Sequence, residues 1–277
     1  MKDVQSHHDD RGIPIDQVGV SDLRYPIVVL DQHEGKQETI ARITMSVNLP
    51  HHFKGTHMSR FVEVLNKHHG EVTMRTLPKI LAELRQRLAA ESARIEIRFP
   101  YFLQRSAPVS KAKALMDYEC LFVGEANGKG LDFILGVTVP VTTLCPCSKE
   151  ISEYGAHNQR GSVEIQVRSK PQKDGTPQLI WIEELIDIAE QSGSAPVYAL
   201  LKRADERHVT MQAYDHPAFV EDVVRNVATT LQSDSRVVWF LVHAANQESI
   251  HNHAAFATVE WTRPATGKHR RKGDHNP

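Results

Sequence analysis

A chain of 277 residues, 40% hydrophobic and 24% charged, has ordinary globular composition and can bury a sizeable core in one large domain or two modest ones. Its formal net charge of −1 gives no electrostatic reason to expect a nucleic-acid partner, and no run reaches the roughly 18 apolar residues that suggest a membrane span. Residues 1–14 hold no apolar stretch of the secretory kind, and three sparse cysteines (Cys120, Cys145, Cys147) make a poor disulfide framework, so a cytoplasmic protein with free thiols is expected.

In chain order, residues 1–23 are polar, carry Gly12 and Pro14, and read as a flexible arm. Segments 25–31 and 39–49 are rich in β-branched residues and predict strands. Two helices follow: 59–68, with Ser59 as N-cap, and 74–91, where Leu77, Ile80, Leu81, Leu84 and Leu88 share one face. Strand patterns at 94–103 and 114–124 complete a ββααββ unit over 24–127. The Asn127-Gly128-Lys129-Gly130 turn signal divides the chain. Strands at 131–143 and 161–168, helices at 181–191 and 217–232, and strands at 236–244 and 254–262 then repeat the order over 128–263. Pro217 suits a helical first turn, and 192–216 reads as an irregular insert. Residues 264–277 read as a basic flexible tail. Two tandem units, each an antiparallel sheet backed by a helix pair, define an α+β architecture built by duplication of pattern.

The sharpest chemical signal is Cys145-Pro146-Cys147 at the end of a hydrophobic strand. Free cysteines are usually small buried hydrophobes, but a Pro-broken turn followed at once by polar residues favours a thiol reaching a cleft. His157 follows in a loop, and thiolate with imidazole suits zinc and its neighbours. The spacing is neither that of a structural zinc site nor the Cys-x-x-Cys of zinc deaminases, so a catalytic site with three protein ligands and one open position fits better. Its third ligand must come from elsewhere. His251 and His253 fall on one face if their segment is extended, and read either as an acid–base pair or as an exposed polar turn. Lys202 and Arg203 read as a solvated face or as phosphate ligands.

Together the phrases VPVTTLCPCSKEIS (139–152), GAHNQR (155–160), YALLKRADERHVT (198–210), FVEDVVR (219–225) and SIHNHAAFA (249–257) resemble the GTP cyclohydrolase type IB family, over roughly residues 25–263. The resemblance implies a tunneling fold, with its ββααββ unit present twice, and a homotetramer with active sites at subunit interfaces. It implies no membrane or nucleic-acid partner and no organic cofactor. It further implies one divalent metal (zinc, manganese or iron) on Cys145, His157 and Glu206, with GTP as substrate and Glu221 anchoring the guanine edge. His251, His253 and Cys147 would serve the proton transfers, and Lys149, Arg160, Lys202 and Arg203 are candidates for the triphosphate. The product would be 7,8-dihydroneopterin triphosphate, with release of formate, at the first step of tetrahydrofolate biosynthesis. Met211 stands where the family is often acidic, and Asp205 beside Glu206 leaves a one-residue ambiguity in the third ligand. A tunneling-fold nitrile reductase with a cysteine nucleophile and NADPH, or a non-catalytic purine-binding protein, would share some of these residues.

Overall fold

The computed structural model describes residues 5, 7–68, 71–128 and 130–264. The first unit runs β1 (Ile15–Asp31), β2 (Gly35–Leu49), α1 (Met58–Lys67), α2 (Leu77–Leu88), β3 (Ala93–Ser106) and β4 (Lys113–Asn127). The second unit opens with β5 (Gly130–Leu144), α3 (Pro146–Ile151), β6 (Asn158–Ser169) and α4 (Ile182–Ser192). It continues through β7 (Ala195–Pro196), α5 (Arg203–Asp215), α6 (Val220–Ser233), β8 (Val237–Gln247) and β9 (Ala254–Thr262).

The two units share one antiparallel sheet, ordered β1-β2-β3-β4-β5-β6-β8-β9, with β7 added to β5. The fusion is made by the β4–β5 hairpin, where Asn127 faces Gly130. Gly130 sits at φ +132, a conformation open to glycine and costly for residues with a Cβ.

Strand alternation sends one set of side chains under the helices. In the first unit Ile43, Met45, Ile95, Ile97 and Phe99 meet Phe61, Leu65, Leu77, Ile80 and Leu81; all are buried. In the second, Val139, Ile165, Phe240 and Val242 belong to the same core as Leu185, Ile186, Val223 and Val227. Each such side chain contributes about 1.5–3 kcal/mol by leaving water. The other face of β3 carries Arg94, Glu96 and Arg98, whose ion pairs of 3.1 and 2.9 Å lie partly in solvent. Pairs of that kind contribute about 0–1 kcal/mol, so the helix-covered face governs stability.

The α+β class and the duplicated pattern match the sequence expectation, with local differences. The segment read as an arm to residue 23 is strand from Ile15, pairing with β2 across two irregularities. An edge strand with weak alternation is held by its neighbour's backbone, and so its pattern is faint. The insert at 192–216 contains β7 and α5. Helix α1 is preceded by His57 at the N-cap position and starts at Met58, so Ser59 lies inside the first turn. Helix α6 starts after Phe219, placing Pro217 ahead of it. The basic tail lies, from residue 265 on, outside the described residues. No helix among the described residues is long and apolar enough to cross a membrane.

Candidate active site

The last residues of β5 and β8 and the first of β6 and β9 come together at one end of the sheet. They enclose, with the start of α6, a cleft of about 420 Å³. Cys145, Gln159, Glu221, Asn246, Glu248 and Phe256 are among its lining residues. Cys145 reaches it because Pro146 opens α3 and leaves the cysteine as N-cap, its Sγ 3.5 Å from the Ser148 N–H. The Cys145 N–H donates to the His157 carbonyl at 3.1 Å, and the His157 N–H to Ser148 Oγ at 3.2 Å. These bonds clamp the Cys145 and His157 backbones together across the α3 loop.

The imidazole is oriented by a second layer. Gln159 Nε2 donates to Thr143 Oγ1 at 2.9 Å in the buried strand pair, which turns its Oε1 toward His157 Nδ1 at 3.0 Å. Glu248 Oε2 stands 3.6 Å from the same nitrogen. The Gln159 acceptor at Nδ1 selects the tautomer that donates there and leaves Nε2 its lone pair. Asn246 is 2% exposed and lies opposite Gly161, whose missing Cβ makes room for the Asn246 side-chain oxygen.

Glu221 stands in the first turn of α6 and lines the same cleft as Cys145. The helix is capped by its neighbour: Asp222 Oδ2 accepts the Phe219 N–H at 3.1 Å. Glu221 makes no such bond and stays exposed, free to meet a ligand.

The other sequence-derived candidates are distributed differently. His251 and His253 lie in the β8–β9 turn, not in extended chain, yet their rings stack at 5.1 Å. Cys147 is exposed on α3. Lys149 Nζ donates to the Tyr214 carbonyl at 2.6 Å and lies 4.2 Å from that ring's centroid, tying α3 to the end of α5. Arg160 is exposed and follows Gln159 in a strand, so it belongs to the opposite face of the sheet. Lys202, Arg203 and Glu206 are exposed at the start of α5, outside the residues lining the cleft. Among the described residues no group of three or more His, Cys, Asp or Glu side chains is placed to hold a metal ion, so one chain does not gather Cys145, His157 and Glu206.

Asp205 is separated from Glu206 by its surroundings. It is fully buried and accepts the Val109 and Ser110 N–H groups at 2.8 Å, the Ser110 hydroxyl at 2.6 Å and the Lys202 N–H at 2.8 Å. Burial alone would raise its pKa, but the hydrogen bonds, led by Ser110, outweigh it and hold the carboxyl well below the usual range. With these four bonds Asp205 serves as the capping anchor of α5, which leaves Glu206 as the member of the pair open to a ligand. A lowered folded-state pKa means the unfolded chain takes up the proton first. The stabilisation is therefore complete above about pH 4 and is lost as pH falls below that toward the folded-state value. The Tm deficit of Asp205→Asn relative to the parent should shrink when thermal melts are moved from about pH 6 to about pH 3. A constant deficit would assign the effect to hydrogen bonding independent of charge.

Sequence reasoning missed Gln159 and Glu248. Gln159 was hidden by the more conspicuous His157 in the same GAHNQR phrase, and Glu248 by the histidines just after it. The signal available for Glu248 was position, an acid at the end of a strand immediately before the His251 turn.

An all-antiparallel sheet of paired ββααββ units with a cleft at its strand ends defines the class, a tunneling-fold protein. The architecture is similar to uricase from Bacillus fastidious (TM-score 0.55, 9% identity, 91% of this chain and 94% of that one). It is also similar to uricase from Arthrobacter globiformis (TM-score 0.51, 8% identity, 94% and 96%). At such identities the likeness concerns the fold alone. The family model described as type I GTP cyclohydrolase folE2 matches residues 1–257. The chain is 56% identical over 261 residues to GTP cyclohydrolase FolE2 of Syntrophotalea carbinolica, covering 94% of this chain and 95% of that one. It is 50% identical over 277 residues to GTP cyclohydrolase FolE2 of Geotalea uraniireducens, covering 100% and 97%. The chain belongs to the type I GTP cyclohydrolase folE2 family of enzymes.

Proposed function

We propose that this chain is a type IB, metal-dependent GTP cyclohydrolase. It hydrolyses and rearranges GTP to 7,8-dihydroneopterin triphosphate with release of formate, at the head of folate biosynthesis in the cytoplasm. The observation that carries the reading is the cleft shared by Cys145, Glu221 and Glu248, with His157 Nδ1 3.6 Å from Glu248, in a chain of this family.

The donor set suits a divalent cation. Cys145 offers a half-buried sulfur, and His157 a ring whose Nε2 is left free by the contacts at Nδ1. Glu206 is our third ligand, brought to the pair by a second copy of the chain or by a shift of α5. Zinc, manganese and iron all fit one thiolate, one imidazole and one carboxylate. A cation held by these residues would supply Lewis acidity, lowering the pKa of water toward neutrality for attack at C8 of the guanine ring.

The protein's own groups do the rest. Glu221 accepts from the guanine N1–H and 2-amino group, donors that adenine lacks. His251 and His253 pass protons during ring opening and closure, with Cys147 on the adjoining α3. Glu248 positions His157 and does not itself ligate. Glu248→Ala should weaken metal affinity by about 10–100-fold with little change in Tm, and Glu248→Gln should restore part of it. An unchanged metal titration in Glu248→Ala would remove Glu248 from this role.

The reading includes a homotetramer with interfacial sites. Two features support it: β1 and β9 are open sheet edges, and Tyr154 (96% exposed) and Phe256 (70%) are large apolar side chains in or beside the segments that form the cleft. The test is GTP turnover by metal-stripped protein given back zinc, manganese or iron, following formate and the fluorescent oxidised pterin. Metal-restored product is the expected result. GTP binding without product under every metal would leave a purine-binding tunneling fold and refute the cyclohydrolase reading.

A further inference from the structure

The first unit has a cleft of its own at the positions that make the catalytic cleft in the second. The ends of β1 and β3 and the starts of β2 and β4 enclose about 710 Å³, closed by the first turns of α4. Asp31, Gln37, Arg105 and Leu115 come from the strands, and Glu183 and Asp187 from the helix. At its floor two buried carboxylates, Asp31 (5% exposed) and Glu183 (4%), share the hydroxyl of Tyr101 at 2.9 and 2.6 Å. Asp31 is otherwise well supplied, with the His33 and Glu34 N–H groups at 2.8 Å and the Gln37 amide at 3.3 Å. Glu183 Oε1 also takes the Gln32 N–H at 2.8 Å, whereas its Oε2 is buried without a donor. An orphaned carboxylate oxygen is expensive unless something supplies a proton donor.

The lining residues say what kind of donor. Beyond the Arg105–Asp187 ion pair, Asp31, Glu34 and Glu183 make the cleft acidic, which repels phosphates and other anions. Arg105 is committed, donating to Asp187 and Glu190 at 2.9 Å and to the Tyr118 hydroxyl at 3.1 Å. No trio of ligating side chains is placed for a metal ion among the described residues. Phe102, Leu103 and Leu115 add apolar wall that suits methylene groups.

We propose that this cleft binds a small aliphatic organic cation, an amine or guanidine, whose N–H donors complete Glu183 while its stem lies along Leu103 and Leu115. The site is separate from the catalytic cleft and does not depend on the reaction assigned there.

Calorimetric titration of the full-length protein with agmatine and with putrescine tests it, one probe ending in a guanidine and both carrying an amine. One saturable site per chain is expected for at least one probe, and which probe binds identifies the head group. Affinity should fall at least about tenfold in Glu183→Gln, which removes the buried charge. Leu115→Lys, at a position 64% exposed and thus safe for folding, places a tethered ammonium at the cleft and should cost a similar factor. Cys145→Ala should bind as the parent does. Absence of a saturable site, or equal affinity in the parent and Leu115→Lys, would overturn the proposal, as would a magnesium isotherm abolished by Glu183→Gln.

Discussion

Under the proposed ligand set, Cys145→Ala should reduce GTP turnover to background and abolish binding of added zinc, manganese or iron. Loss of a proposed direct ligand should exceed the roughly 10–100-fold penalty typical of substitutions at residues that only position a ligand. The sulfur is presented by a short helix that forms because Pro146 starts it, and the main-chain bonds to His157 and the Ser148 hydroxyl bond remain in the variant. The fold should therefore survive, and melting temperature should stay near that of the parent. Cys147→Ala is the internal control. Cys147 is exposed on the same helix, so its replacement should leave bound metal in place even where rate falls. Metal content by elemental analysis, read beside formate release, separates the two cysteines. Full metal occupancy in Cys145→Ala would move the ligand assignment elsewhere.

The second large effect is expected at Glu221. Two hydrogen bonds to an ionised acceptor are each worth about 1.5–3 kcal/mol, so Glu221→Ala should lower kcat/KM for GTP by about 10²–10⁴. Metal content should be unchanged, because Glu221 enters the cleft from α6 whereas Cys145 and His157 are carried by the α3 loop. Inosine triphosphate, which lacks the 2-amino group, should lose less than GTP does on this substitution. Equal losses for the two nucleotides would place Glu221 away from the 2-amino group, and an unchanged kcat/KM would remove it from the substrate site altogether.

Much of the architecture was legible because its stabilisation follows strand and helix periodicity. The stripe Leu77, Ile80, Leu81, Leu84 and Leu88 identifies α2 and is buried as a set. Helix α5 escaped for the opposite reason: of its thirteen residues only Asp205 and Ala213 are buried. It is held by a carboxylate capping its own first turn and the 109–110 backbone, a bond pattern with no periodic trace. The start of β1 escaped because an edge strand is specified largely by the backbone of its partner, β2.

The candidate chemistry divides in a similar way. Sequence alone determined the residue types and their order: a cysteine after a strand, a histidine beyond it, an acid at a helix start, and a histidine pair before the last strand. Those features are local, and they are enough to place the chain in its family. Only tertiary structure decided which of them meet. It put Cys145, Glu221 and Glu248 in one cleft with His157 beside it, sent Arg160 to the other face of the sheet, engaged Lys149 with Tyr214, and committed Asp205 to α5. It also created the acidic cleft around Glu183, whose members come from β1, β2, β3, β4 and α4. The physical reason is distance along the chain. Backbone preference and amphipathic pattern act between near neighbours, whereas the partners of a buried carboxylate or an imidazole come from strands tens of residues apart.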